Sequence, residues 1–450
     1  MSVDLETIRR LVAQCDPQVP LQGGDPRYIP LDTDPPVRGE QACIDLMRRT
    51  ILHAEKNESC QLFTGFPGTG KTTELLRLKA KFEESQAPTG GYVVYINFEE
   101  FIQLYEAVSL SDVLRVLAFC LAREADRVSK TADGTEGEAY LRAFFKSMKD
   151  ALPKSAELKS VDFELFGAKL MLELRNNPAI HEQVERAIRS RFQHFADECR
   201  DWIGRSIKRI QAAVGGRAER FVVIADGLEK LSALHENDRE AVENSAESLF
   251  VLHGEFLHLP CHVIYTFPVW LRFRTAQLGS VYDCEPLTLP MIKVHDRGNV
   301  GYEPGLQKLY QMLERRLGDP ARIFGPAPQA ALLPILEASG GYPRDALRLV
   351  RTLLTREESF PVSAAAVQRE IRALQRSYHD AVLGDYAELL NHIDRTHLLP
   401  NQNPAQLRLF GQLFARFLVL AYRNGEEWFD LHPLVRKAPA LLQRFGEAAP

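Results

Sequence analysis

The sequence has 450 residues, of which 45% are hydrophobic and 26% are charged. These fractions are typical of globular proteins and exclude a largely disordered chain, and the length is enough for two or three domains. With 55 basic and 60 acidic residues the formal charge is −5, so composition gives no global reason to expect nucleic acid or an anionic membrane as a partner.

The N-terminus and the cysteines indicate a cytoplasmic protein. Charged residues recur every few positions from the start, without the apolar core of a signal peptide. No apolar run approaches the roughly 18 residues that a membrane helix needs, so we expect no membrane association. The seven cysteines are scattered without a C-x-x-C pair, which favours reduced thiols.

Strand-like and helix-like segments alternate along the chain. Four short apolar runs are separated by segments with helical spacing, and they are residues 59–64, 92–97, 221–225 and 261–266. This alternation predicts an α/β fold with a parallel sheet covered on both faces.

One connection between these strands is abnormally long. Between Asn97 and Phe221 lie 123 residues, where a crossover needs only about 12, so we predict a large helical insertion. Apolar residues recur in steps of three and four from Ile180 to Val214, which predicts one helix about 50 Å long with a single apolar stripe. Two interpretations stay open: a hairpin packed on the sheet domain, or a coiled-coil-like arm for a partner.

The last 90 residues or so read as a separate unit. A helical pattern runs from Pro290 to about Glu357, and helices then precede two β-prone runs joined by Asn424-Gly425. Asn-Gly between such runs is a strong hairpin signal. Helices followed by a hairpin predict a winged-helix module.

The strongest motif follows the first strand-like run. Residues 65–72 fit G-x-x-x-x-G-K-[ST], a P-loop whose backbone amides cradle phosphates at a helix N-terminus. Lys71 would neutralise phosphate charge, and the Thr72 hydroxyl would bind Mg²⁺. The alternative is a fortuitous glycine-rich turn. The residues predicted to line the nucleotide here are Gly65, Phe66, Pro67, Gly68, Thr69, Gly70, Lys71, Thr72 and Thr73.

A second acidic segment ends the third strand-like run. Asp226 is placed to hold the Mg²⁺ beside a P-loop, and Glu229, three residues on, could orient or deprotonate the attacking water. The alternative is a helix-capping Asp followed by a solvated Glu.

These motifs resemble the STAND and origin-recognition branches of the AAA+ ATPases over residues 28–357. The resemblance implies a P-loop NTPase sheet of the AAA+ order, with a helical insertion, a helical lid and a C-terminal winged helix. Val37-Arg38-Gly39-Glu40 looks like the N-terminal box of that family, so that Arg38 and Tyr28 would border the adenine.

The lid motif Gly340-Gly-Tyr-Pro-Arg344 extends the resemblance. It implies that Pro343 packs near the base and that Arg344 occupies the sensor-2 place, where a cation reports the γ-phosphate. Thr266 matches the sensor-1 place. A surface arginine at a helix start and a buried strand-end threonine are the respective alternatives.

Two departures from the family pattern matter. Gly227 stands where AAA+ motors usually carry a second acid, so hydrolysis is expected to be slow. Pro268 stands where STAND proteins often have an arginine, which leaves Arg272 and Arg274 as weak candidates for a finger acting on a neighbouring subunit, against two solvated arginines.

The expected division of the chain follows from these segments. It is an N-terminal segment (1–36), an ATPase core (37–101 and 216–290), a helical insertion (102–215), a helical lid (291–360) and a winged-helix domain (361–450).

The leading hypothesis is an ATP-binding, slowly hydrolysing switch with ATP and Mg²⁺ as cofactors. ATP and ADP forms would differ in lid and winged-helix arrangement and control self-association or a separately encoded effector, as in bacterial defence or mobile-element regulation. The first alternative is a DNA-binding AAA+ ATPase, a loader or transposition regulator. The second is a scaffold that binds ATP without hydrolysing it.

Nucleic acid is not the favoured partner. Residues 366–450 hold ten basic and nine acidic residues, and the hairpin itself carries Glu426, Glu427 and Asp430. Acids at the tip of a wing repel phosphates, so a protein-contacting wing is expected.

Overall fold

The structure, a computed structural model, describes residues 3–85, 89–133, 143, 146, 174–233, 235–275, 277–400 and 404–445. Its strands are β1 (Ser59–Gly65), β2 (Tyr92–Asn97), β3 (Phe221–Asp226), β4 (His262–Thr266), β5 (Leu287–Leu289), β6 (Val419–Asn424) and β7 (Glu426–Leu431). Its α-helices are α1 (Leu5–Gln14), α2 (Cys43–His53), α3 (Lys71–Glu84), α4 (Leu110–Asp133), α5 (Pro178–Arg189), α6 (Phe192–Val214), α7 (Arg239–Glu247), α8 (Leu271–Arg274), α9 (Glu303–Leu317), α10 (Ala321–Phe324), α11 (Pro328–Ala338), α12 (Pro343–Arg356), α13 (Ala364–Ala381), α14 (Ala387–Thr396), α15 (Pro404–Ala415) and α16 (Pro439–Phe445).

A five-stranded sheet of order β2-β3-β4-β1-β5 is the centre of the α/β fold. Strands β1 to β4 pair in parallel, and both β1 and β3 are buried along their whole length. Both strands are covered on both faces, as parallel strands usually are. This burial explains the apolar sequence of β3, while β1 also buries the polar residues Ser59, Gln61 and Thr64. The predicted fold class is confirmed, while the three-residue β5 was too short to be read from the sequence.

The chain divides into two compact units, and the first to consider comprises residues 47–64 and 78–287. Its core joins residues of β1 to β4 with the apolar faces of α4 and α6. In α6 that face includes Phe195, Trp202, Ile203 and Ile210. The described helices of the insertion therefore pack on the sheet, in agreement with the first interpretation.

The single long helix expected from Ile180 to Val214 is wrong. The structure has two helices, α5 and α6, separated at Ser190 and Arg191. The Ser190 hydroxyl donates to the carbonyl oxygen of Ala187, and Arg191 leaves helical geometry with φ −142° and ψ 32°. A serine that bonds the backbone of its own turn competes with helix continuation. The apolar stripe concealed the break because it keeps its spacing across it.

The second unit comprises residues 1–46, 65–77 and 288–450. It contains the glycine-rich turn after β1, the helices α9 to α12, and the C-terminal helices with the antiparallel hairpin β6–β7. The predicted hairpin is confirmed, with Gly425 at the turn and at a φ of 80°. None of the described helices combines the length and the apolar character that crossing a membrane requires.

Asp430 contradicts its expected place at an exposed wing. The residue is fully buried, and both of its carboxylate oxygens accept hydrogen bonds from the guanidinium of Arg436, at 2.7 and 2.8 Å. The last four residues of β7 are all buried, and a buried charge is tolerated only when it is paired. The negative charge counted against DNA is therefore smaller at the hairpin surface than the sequence indicated.

Candidate functional site

The turn between β1 and α3 has backbone angles that favour glycine. Strand β1 ends at Gly65 and α3 begins at Lys71. Gly68 and Gly70 have φ angles of 86° and 97°, a region that favours glycine because it carries no Cβ. The motif read from the sequence therefore lies in the predicted strand, turn and helix context, at the N-terminus of a 14-residue helix.

Lys71 lies folded against this turn. Its side chain is buried, and its ammonium group donates to the carbonyl oxygens of Gly65 and Phe66 at 3.0 and 3.1 Å. The Thr69 hydroxyl donates to the same Phe66 carbonyl at 2.8 Å. The cation is thus held within the loop whose amides would face a phosphate.

Two residues of the lid motif contact the turn directly. The hydroxyl of Tyr342 donates to the carbonyl oxygen of Pro67 at 2.6 Å. A Cβ built on Gly68 would lie 2.4 Å from Nε of Arg344 and 2.8 Å from the Tyr342 hydroxyl oxygen. Any side chain at position 68 would collide with both residues. Arg344 is therefore packed against the turn, half-buried at the start of α12, and its sensor-2 role stays a prediction.

Burial affects the pKa of Tyr342 and the hydrogen bonding of Arg344. It raises the pKa of Tyr342, so the hydroxyl stays protonated and remains a donor at neutral pH. The Nε of Arg344 is buried and has no hydrogen-bond partner among the residues that the structure describes. A buried N–H without an acceptor is costly, and a phosphate oxygen is an acceptor of the right kind.

The C-terminal helices also contact the turn. The ring of Phe66 packs against the ring of Phe414 in α15, with centroids 5.1 Å apart, and both side chains are fully buried. Tyr342 stacks on Phe417 at 5.3 Å. The variable positions of the glycine-rich motif are therefore in contact with both the lid and the C-terminal helices.

Helix α12 is joined to the C-terminal part of the same unit. Asp345, which follows Arg344, accepts a hydrogen bond of 2.7 Å from the Tyr378 hydroxyl and lies 3.3 Å from Nε2 of His432. The Tyr378 and His432 rings stack at 4.2 Å. Neighbouring residues of one helix thus contact the glycine-rich turn and the segment that follows the hairpin.

The residues expected beside the adenine form a connected group. The Tyr28 hydroxyl donates to Glu74 of α3 at 3.2 Å, and the guanidinium of Arg77 lies 3.7 Å from the Tyr28 ring centroid. Arg38, almost fully buried, donates to the Thr69 carbonyl oxygen at 3.0 Å. Tyr28 and Arg38 therefore lie against α3 and the glycine-rich turn.

The remaining residues of the motif and lid fall at helix starts. Thr72 and Thr73 lie in the first turn of α3, and the Thr73 hydroxyl accepts a hydrogen bond from the backbone N–H of Leu21 at 3.1 Å. Pro343 is buried in the first turn of α12, where its fixed φ suits a helix start.

The acidic residues of the other unit end β3. Asp226 is buried and accepts a hydrogen bond of 2.6 Å from the Tyr95 hydroxyl of β2. The backbone N–H of Gly227 donates to Asp226 Oδ1 at 2.9 Å and to Glu229 Oε2 at 3.1 Å. Glu229 is 7% exposed, which excludes a solvated glutamate. One amide thereby holds both carboxylates beside each other.

The departure at Gly227 has a backbone cause. Its φ is 103°, and a Cβ there would lie 3.2 Å from Oδ1 of Asn97. An acidic side chain at this position would be strained whatever its charge. Burial together with the neighbouring Asp226 raises the pKa of Tyr95, so its hydroxyl remains a donor to Asp226 at neutral pH.

Thr266 and the finger candidates lie nearby in chain order. Thr266 is fully buried, level with Phe63 in the parallel register, and its hydroxyl donates to the Ala225 carbonyl oxygen at 3.4 Å. Arg274 forms ion pairs of 2.6 Å with Glu243 and Glu247, so its guanidinium is engaged within its own unit.

Sequence reasoning missed three residues of these groups. Tyr95, Tyr342 and Phe414 each contact a residue of the predicted site through long-range packing. A signal existed for Tyr95, which precedes the position paired with Asp226 by two residues and therefore lies on the same face of the sheet. Nothing in the local sequence pointed to Phe414.

Comparison with known proteins adds no family assignment. No family model matches the sequence, and no curated protein matches it. Similar solved structures include the Aeropyrum pernix ORC2 protein (ADPNP–ADP complexes), with TM-score 0.38 and 13% identity over 96% of this chain and 94% of that one. The Walker-type ATPase PABY2304 of Pyrococcus abyssi has TM-score 0.36 and 12% identity over 90% of this chain and 97% of that one. The Aeropyrum pernix ORC1 protein in complex with DNA has TM-score 0.35 and 14% identity over 89% of this chain and 91% of that one. TM-scores below 0.5 carry no argument about function.

Proposed function

We propose that this chain is an ATP-binding switch that hydrolyses ATP slowly and changes the arrangement of its lid and C-terminal helices with the bound nucleotide. The observation that carries the proposal is the double contact on the glycine-rich turn, by Tyr342 on Pro67 and by Phe414 on Phe66. A loop that binds phosphates and packs on both the lid and α15 can transmit the state of the nucleotide to both of these elements.

The residues present fit a nucleoside triphosphate. Gly70 leaves open space beside the backbone, Lys71 supplies a cation, and Arg344 offers a buried N–H that lacks an acceptor among the described residues. Thr72 and Asp226 would be ligands of Mg²⁺, which neutralises phosphate charge when it is bound.

Glu229 is the proposed residue for positioning or deprotonating water. The single amide of Gly227 holds it beside Asp226, so its carboxylate cannot swing freely. Since Gly227 replaces a second acid after Asp226, we expect slow turnover. A persistent ATP-bound form suits a switch better than a motor.

The test compares the protein with ADP and with a non-hydrolysable ATP analogue. We expect hydrogen exchange in α12 and α15 to differ between the two nucleotides, together with a change in size by gel filtration with light scattering. Lys71→Ala should show neither difference. Equal hydrogen exchange with both nucleotides, together with a monomer in both cases, would contradict the proposed switch.

A non-hydrolysing scaffold is separated from the switch by turnover. Glu229→Gln should bind ATP as the wild type does and lose at least about 100-fold in hydrolysis, the lower end of the contribution of a general base. Equal phosphate release by the two proteins would remove Glu229 from the mechanism.

DNA binding is kept as a second function because of Asp430. Its burial and its pairing with Arg436 leave Glu426 and Glu427 as the acids near the tip of the hairpin, beside the exposed Arg423. ATP-dependent duplex binding that weakens with salt would support this function. Absence of binding at low salt with either nucleotide would exclude it.

A further inference from the structure

A second cluster of charged residues lies between α4 and α5, in the unit formed by residues 47–64 and 78–287. It borders a small open cavity lined in part by Gln103, Glu106, Asp112, Arg115, Arg175 and His181. None of these residues belongs to the glycine-rich motif or to the acidic pair at the end of β3. The cluster therefore needs its own explanation.

Asp112 is already satisfied by its neighbours. Its Oδ2 accepts from the backbone N–H and the hydroxyl of Ser109 at 3.0 and 2.8 Å. Its Oδ1 accepts from Arg115 Nη2 at 2.5 Å and from His181 Nε2 at 2.8 Å. A carboxylate with four donors has no need of a further cation, so the cavity is not built around an unpaired acid.

The cations at this cavity lack acceptors. Arg115 is 8% exposed, and its Nε and Nη1 have no hydrogen-bond partner among the described residues. The Nε of Arg175 is also buried and without a partner in that part of the chain. Buried guanidinium N–H groups are costly to leave unpaired. Both arginines line the same cavity, which points to an acceptor located there.

Two further features favour negative charge. Helix α5 has 12 residues, and Pro178 of its first turn lines the cavity, so the positive end of the helix dipole faces it. Hydrogen bonding to Asp112 raises the pKa of His181, which keeps the ring positive to higher pH. The groups that face this ring are Asp112, Arg115 and Glu185.

We propose that this cavity binds the phosphate group of a small ligand, held by Arg115, Arg175 and His181. Planar guanidinium groups donate in pairs to phosphate oxygens, and phosphate offers more acceptor oxygens than the donors need. The competing ligand is a metal ion, because ligand atoms of Asp112, His181 and Glu185 lie within 4.8 Å of one another. Two arginines at the cavity disfavour it.

The experiment titrates inorganic phosphate into the full chain carrying Lys71→Ala, so that the glycine-rich turn does not contribute. Thermal melting is followed against chloride and acetate at equal ionic strength. We expect the melting temperature to rise saturably with phosphate. The apparent phosphate affinity should be about 10-fold weaker in Arg115→Lys, which keeps the charge beside Asp112 but loses the planar pair of guanidinium donors. Arg189 is an exposed arginine of α5, and Arg189→Lys should respond to phosphate as the parent does.

His181→Gln provides a second test that retains a donor to Asp112 and removes the charge. The parent protein, which carries Lys71→Ala alone, should bind sulfate less tightly as pH rises through the pKa of His181. The His181→Gln variant should not show this decrease. Equal phosphate responses in the parent and Arg115→Lys would overturn the proposal, as would no saturable response in the parent. A rise with Mn²⁺ or Zn²⁺ in place of phosphate would also overturn it, in favour of a metal site. Because every protein in the series carries Lys71→Ala, these outcomes are independent of the switch.

Discussion

The Tyr342 hydroxyl donates a hydrogen bond of 2.6 Å to the carbonyl oxygen of Pro67. This bond joins the lid motif to the second variable position of the glycine-rich turn. Burial raises the pKa of Tyr342, so its hydroxyl, already protonated at neutral pH, remains a donor further into the alkaline range. The conformation of the turn and the start of α12 are thereby coupled, and nucleotide binding to the turn is expected to be felt in the lid.

Replacing Lys71 tests the phosphate assignment. Lys71→Ala removes the ammonium group that now bonds Gly65 and Phe66. We expect ATP affinity to fall about 100-fold, since charge-assisted bonds to phosphate are each worth about 1.5–3 kcal/mol. Titration calorimetry measures the loss, with circular dichroism as the control for folding. Retained micromolar affinity would contradict the assignment.

The Phe66–Phe414 contact is testable by a double-mutant cycle. Each Phe→Ala change should lower the free energy of unfolding by about 3–5 kcal/mol, because both rings are fully buried. The coupling energy between them should be about 1 kcal/mol. Hydrogen exchange of α15 in the single and double variants measures both quantities. Additive effects would mean that the two rings do not interact.

Arg344 should distinguish ATP from ADP. Arg344→Ala is expected to reduce the preference for a non-hydrolysable ATP analogue over ADP about 10-fold, because one charge-assisted bond to phosphate is lost. Arg348→Ala, an exposed residue one turn on in α12, is the matched control and should keep the preference. Competition binding measures the ratio. The same ratio in all three proteins would exclude Arg344 from phosphate contact.

The buried pair in the hairpin makes a stability prediction. Arg436→Met leaves Asp430 without its bidentate partner, and we expect a loss of about 3–5 kcal/mol. Glu426→Gln at the exposed turn should change the free energy of unfolding by less than about 0.5 kcal/mol. Thermal unfolding compares the two. A loss in Arg436→Met as small as in the control would show that the pair contributes little.

The stability of α5 should depend on pH through His181. Its pKa is raised above the ordinary value by Asp112, so the contribution is complete below about pH 6.5 and is lost as pH rises through the folded-state value. Hydrogen exchange of α5, corrected for the intrinsic rate, should therefore quicken as pH rises above about 6.5. His181→Gln should flatten this change. An unchanged slope would assign the effect to another group.

The strands and the glycine-rich turn between β1 and α3 could be predicted because their signals are local. Residues 221–225 are a continuous apolar run that ends at the acid Asp226, and residues 59–65 are a strand-length segment that ends at a glycine. Burial on both faces favours such short apolar segments. The turn after β1 needs glycine at defined positions, so it leaves a motif. The hairpin at Gly425 likewise follows from one dipeptide.

What could not be predicted depends on distant parts of the chain. Phe414 reaches Phe66 across 347 intervening positions, and no spacing rule connects them. Asp430 reads as a surface acid until the inward face of β7 and the position of Arg436 are known. The break at Ser190 could not be read from hydrophobic spacing. That spacing indicates which face of a helix is buried, but it does not detect a side chain that bonds the nearby backbone.

In the proposed switch, helix α12 would act as a lever. Arg344 at its start lies against Gly68, and Asp345 beside it is bonded to Tyr378. Its 14 residues extend about 21 Å, so a tilt of about 10° about the first turn would displace Arg356 by about 4 Å. A sub-ångström adjustment at a phosphate would thus be magnified severalfold at the far end, without any ligand contact there.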